Sequence, residues 1–85
     1  MTTNVKHSYR VNTVLIKTLM IAKGLRMVGL ARQIGSSLGY TSDLINGRKA
    51  NFKRQVEIAS VLGAEVRNLF PEQARPYIKK VSKEG

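Results

Sequence analysis

An all-α fold is the architecture this sequence predicts: a compact bundle of about five helices, two of them packed across a tight turn. Three observations carry it. Apolar residues recur at three- and four-residue spacing in successive short segments, glycines stand where those segments stop, and no stretch alternates apolar and polar residues cleanly enough for a sheet. The 85 residues, 42% of them apolar, suffice for one core and leave little room for a large cleft, since a domain this small buries only about 60–65% of the surface its unfolded chain exposes. The absence of cysteine removes both a disulfide framework and a thiolate metal site.

Residues 1–11 show little apolar periodicity and carry Lys6, His7 and Arg10, which reads as a mobile basic arm contributing little to the core. From Thr13 to Lys23, the residues Val14, Leu15, Ile16, Leu19, Met20, Ile21 and Ala22 predict a well-buried helix, with Asn12 as its cap and Gly24 as its stop. The same stretch, interrupted by Lys17 and Thr18, is too short and polar to span a bilayer or form a signal-peptide core, so a cytoplasmic protein without a membrane partner is expected. A second helix, roughly Met27 to Ile34, presents Leu30, Ala31 and Ile34 on one face, and Gly35 follows where a left-handed residue lets the chain turn sharply. Ser36 and Ser37 are good caps for a third helix over Ser37 to Asn46, in which Tyr40, Thr41, Leu44 and Ile45 keep helical spacing and Asn46-Gly47 ends it.

Beyond a basic loop, Arg48 to Asn51, the residues Phe52, Val56, Ile58, Ala59 and Leu62 predict a fourth helix ending at Gly63. A short fifth helix over Glu65 to Phe70 stops before Pro71. Residues 71–85 form a tail in which Arg75 to Val81 fits either one strand or a further helix. The organisation is therefore an arm, 1–11, a helical domain, 12–70, and a tail, 71–85.

Charge narrows the function. With 15 Lys and Arg against 5 Asp and Glu, the net charge is +10, and such a surface seeks polyanions. His7, the one histidine, has no partner cluster for a metal, and neither a reactive cysteine nor paired carboxylates accompany it, so no catalytic residue, metal or cofactor is expected.

The ordered set Leu30, Ala31, Ile34, Gly35, Thr41 and Leu44, followed by Asn46-Gly47, has the spacing that packs two helices across a tight turn. With Lys23-Gly24-Leu25 before it, Arg48 after it, and the later Ile58-Ala59, Leu62-Gly63 and Leu69-Phe70, the stretch from about Ile16 to Phe70 resembles the lambda-repressor and Cro-like (Xre-type) helix-turn-helix family. Ala31 matches that family's small alanine in the first helix of the motif, and Gly35 matches its glycine at the turn. Thr41 departs from the family's valine or isoleucine, and its hydroxyl is free to bond a carbonyl four residues back. Arg26 and Met27 replace the frequent serine-glutamine pair.

The resemblance implies that the third helix enters the major groove of double-stranded DNA, which makes Ser37, Leu38, Gly39, Ser42 and Asp43 the candidate base contacts. Leu38 and Gly39 stand where the family often carries hydrogen-bonding side chains, so Leu38 is matched to a thymine methyl. Asp43 suits a cytosine amino group but needs a basic neighbour near phosphate. Candidate phosphate contacts are Arg26, Tyr40, Asn46, Arg48, Lys49, Lys53 and Arg54, with Tyr40 equally readable as a packing residue. Lys6, Arg10, Lys79, Lys80 and Lys83 stay outside the main site. A homodimer on a pseudo-palindromic operator is expected, with Val66, Leu69, Phe70, Tyr77, Ile78 and Val81 available either to an interface or to the monomer core.

The resemblance implies a small phage or mobile-element repressor, and the small size suits action by occlusion without a small-molecule ligand. Antitoxins and restriction-modification controllers share the module. An RNA-binding or nucleoid protein that tracks phosphate without choosing sequence is the alternative from another class. An interaction adaptor and an enzyme rank behind it.

Overall fold

A computed structural model describes residues 9–71. They form five helices and no strand: α1 (Thr13–Ala22), α2 (Met27–Gln33), α3 (Leu38–Ile45), α4 (Phe52–Leu62) and α5 (Val66–Leu69). None of these helices is long and apolar enough to cross a membrane.

Each boundary has a local cause. Asn12 accepts the Leu15 amide, Ser37 the Tyr40 amide and Asn51 the Arg54 amide, so side-chain oxygens cap the starts of α1, α3 and α4. The elements match the spans read from sequence, trimmed by a residue or two where a cap had been counted as helix. Gly35, at φ +67°, reverses the chain between α2 and α3, while Ser36 N–H reaches back to the Ala31 carbonyl at 2.9 Å.

One apolar core joins the helices. Ile16 from α1, Leu30 from α2, Leu44 and Ile45 from α3, Ile58 and Leu62 from α4, and Leu69 with Phe70 at the end of α5 are essentially inaccessible to solvent. Each such side chain contributes roughly 1.5–3 kcal/mol. Leu69 and Phe70 thus close the core of the single chain, and Val66 packs against it; of the residues considered for a dimer contact, Tyr77, Ile78 and Val81 lie outside the described residues, as do the tail beyond Pro71 and the arm before Tyr9.

Two expectations are corrected. The first helix is not well buried: Ile16 and Met20 point inward, whereas Val14 and Ile21 are 77% and 79% exposed and Ala22 is also exposed. Seven of the ten positions of α1 are apolar, so its periodicity is weak, and only Lys17 and Thr18 mark the outer face that they share with Val14 and Ile21. Ile21 and Met20 instead border a shallow groove with Lys17, Leu25 and Met27.

The second correction concerns residues 9–11. They do not hang free as the end of an arm; the Tyr9 amide donates to the Gly47 carbonyl at 2.7 Å, and Val11 packs against the core. The following residues continue the seam. Asn12 N–H donates to the Leu69 carbonyl at 2.8 Å, and the Thr13 hydroxyl donates to the Ile45 carbonyl at 2.7 Å.

Candidate nucleic-acid interface

Helix α3 divides its residues between two faces. Thr41, Leu44 and Ile45 are buried, with Tyr40 half-buried against the core. Gly39, Ser42, Asp43 and Asn46, at spacings of three and four, share the outward stripe, with Leu38 and Ser37 at its leading end. The candidate base contacts therefore lie together on the side of α3 that the core does not use.

The inward face is locked by backbone-directed bonds. Thr41 is fully buried, and its hydroxyl donates to the Ser37 carbonyl at 2.8 Å, the four-residue return read from sequence. Because Ser37 Oγ also accepts the Tyr40 amide at 3.1 Å, the first turn of α3 is held from both sides.

On the outward stripe the polar side chains also have internal partners. Asn46 Nδ2 donates to the Ser42 carbonyl at 2.9 Å and to Ser42 Oγ at 3.3 Å. Arg48 Nε donates to Asp43 Oδ1 at 2.7 Å. Asp43 thus has the basic neighbour that was expected of a carboxylate on this face. Leu38, by contrast, is 51% exposed at the head of the helix, and a Cβ at Gly39 would meet nothing within 4 Å. The leading end of α3 is consequently an apolar side chain beside an open backbone.

Cations precede and follow α2 and α3 in sequence. Arg48 and Lys49 follow α3, Lys53 lies in the first turn of α4, and Arg26 precedes α2; all four are exposed. Ion pairs among the described residues join Arg48 to Asp43, Arg54 to Glu57 and Arg67 to Glu65. Every described acid is thereby matched by an arginine, whereas Arg26, Lys49 and Lys53 have no acidic partner among the described residues. The described residues thus carry an excess of positive charge that no acid offsets.

Arg54 stands apart from these exposed cations. Its Nη1 donates both to the Ile34 carbonyl and to Glu57 Oε1, so its guanidinium faces the end of α2. Tyr40, the other candidate with two readings, packs against the core. Sequence reasoning did not anticipate the backing of the stripe by Tyr9 and Thr13, nor the Asn51 cap. Asn immediately before the periodic run was a usable signal for that cap.

Among the described residues, no group of three or more His, Asp or Glu side chains is placed to hold a metal ion. Comparisons with protein-family models, with curated proteins and with solved structures found no match.

Proposed function

We propose that this chain is a sequence-specific DNA-binding regulator in which α2 and α3 act as a helix-turn-helix and α3 enters the major groove. The observation that carries the reading is the two-faced character of α3: one side is fixed in the core, while the other presents Leu38, Gly39, Ser42 and Asp43, with Arg48 paired to Asp43. Positive charge supplies attraction to phosphate, and the outward stripe supplies contacts to base edges. Arg26, Lys49 and Lys53 grip the backbone, with Arg48 dividing its role between phosphate and Asp43.

Such a module covers one half-site, so a homodimer on a pseudo-palindromic operator completes the reading, with repression by occlusion of a promoter as its mechanism. It requires no cofactor, metal or small-molecule ligand. A phage or mobile-element repressor is the preferred setting, and antitoxin or restriction-modification controller roles use the same contacts.

A second reading, a nucleoid or RNA-binding protein that follows phosphates without choosing sequence, is favoured by one observation: Asn46, Ser42, Asp43 and Arg48 already bond one another. Affinity for the promoter of the chain's own operon and for random duplex DNA, each titrated with salt, separates the two. A preference of about a thousandfold or more supports the regulator. Equal affinities with a steep salt dependence support the nonspecific protein, and no binding at low salt rejects both.

A further inference from the structure

We propose that Arg54 is a positioning residue: it fixes the turn between α2 and α3, and through that turn the pose of the proposed reader helix, instead of contacting phosphate. The inference deepens the DNA-binding reading and rests on it for its functional half; its structural half stands alone.

The last carbonyls of a helix lack partners within the helix. At the end of α2, the Ala31 and Arg32 carbonyls receive the Ser36 and Gly35 amides, and the Ile34 carbonyl, immediately before the left-handed Gly35, receives Arg54 Nη1. A cation there also complements the negative end of α2, whereas its own place in the first turn of α4 offers no such gain. Two further bonds hold Arg54 where it can reach. Its amide is capped by Asn51 Oδ1 at 3.1 Å, and Nη1 is held by Glu57 Oε1, one turn along α4, at 2.9 Å.

The result is a brace from α4 to the turn. Arg54 and Glu57 have side chains about one-third exposed, so this charge-assisted pair is better shielded than the Arg48–Asp43 and Arg67–Glu65 pairs. With α4 seated on the core through Ile58 and Leu62, the reversal gains a reference outside its own two helices. Small shifts in the angle between α2 and α3 would move every side chain of the outward stripe relative to base edges, which is where orientation matters.

The test pairs amide hydrogen exchange with DNA binding for Arg54→Ala, Arg54→Lys and Glu57→Gln in the full chain. In Arg54→Ala the Gly35 and Ser36 amides are expected to exchange about tenfold faster, while amides in the middle of α4 keep their protection. Arg54→Lys, which retains a donor and its charge, restores part of that protection. Preference for operator over random duplex falls about tenfold in Arg54→Ala with the salt slope unchanged. Unchanged turn exchange together with a slope reduced by about 0.9 overturns the proposal and makes Arg54 a phosphate contact. If the parent chain does not distinguish the duplexes, the DNA reading fails on its own, and turn exchange alone decides the brace. Should Arg54→Ala not fold, faster turn exchange in Glu57→Gln supports the brace, and parental exchange there overturns it.

Discussion

Arg48 is joined to Asp43 twice: its Nε donates to the carboxylate at 2.7 Å, and its backbone amide donates to the Asp43 carbonyl at 2.8 Å. The backbone bond belongs to the close of α3, so the ion pair is built into the way that helix ends. Arg48→Ala is therefore expected to do more than delete one cation, because it leaves a bare carboxylate on the proposed DNA face. Binding to operator and random duplex should weaken similarly, with the salt slope reduced by about 0.9. Adding Asp43→Asn to Arg48→Ala should recover about threefold in affinity. Anisotropy titrations of the two variants check this, and no recovery would mean that Asp43 does not face phosphate.

Leu38 should read a methyl group. Replacing individual operator thymines by deoxyuridine removes only the C5 methyl, and at one position per half-site the affinity is expected to fall about fourfold, the worth of one methyl. Leu38→Ala should weaken binding to the thymine operator and erase that difference. A Leu38→Ala variant that still distinguishes the two bases assigns the methyl contact to another residue.

Gly47 and Gly39 should respond in opposite ways to alanine. At Gly47, with φ +81°, a Cβ would stand 2.4 Å from the Tyr9 carbonyl oxygen, so Gly47→Ala is expected to destabilise by about 2 kcal/mol or more. Gly39 lies within α3 with open space around it, and Gly39→Ala should stabilise by up to about 0.5–1 kcal/mol while hindering approach to DNA. Urea unfolding of both variants decides the stability half.

Thr41→Val tests the hydroxyl at the buried seam. The Ser37 carbonyl accepts both the Thr41 hydroxyl and the Thr41 amide, at 2.8 and 3.0 Å, so removing the hydroxyl leaves that carbonyl bonded. Stability should stay the same or rise by up to about 1 kcal/mol. A fall of that size in thermal unfolding would show that the side-chain bond contributes on balance.

What was legible in the sequence was the local chemistry. Asn12 and Ser37 announced two helix starts, and Gly35, Gly47 and Gly63 announced stops because each takes a left-handed conformation. Thr41's return bond was foreseeable from its type and position alone. What was less legible is which apolar residues face the core: Val14 and Ile21 read as core although Lys17 and Thr18 stand at helical spacing on the same exposed side. Arg54 read as one more surface cation because its partner, the Ile34 carbonyl, is a backbone atom 20 residues away that every sequence possesses. The resemblance marked out the outward stripe of α3, but not the bonds that its polar members make, Asn46 with Ser42 and Arg48 with Asp43.

The bonds that seat the segment before α1 impose an order on synthesis. Asn12 meets the end of α5 through residues 56 positions ahead of it, and Thr13 meets the end of α3 across 32. As the chain leaves the ribosome, Tyr9 and Thr13 can find their partners once Gly47 has emerged, but the Asn12 amide has to wait for Leu69. The bundle is sealed last where it was made first, so a chain that ends before Leu69 lacks both the partner of the Asn12 amide and the side chains that close the core.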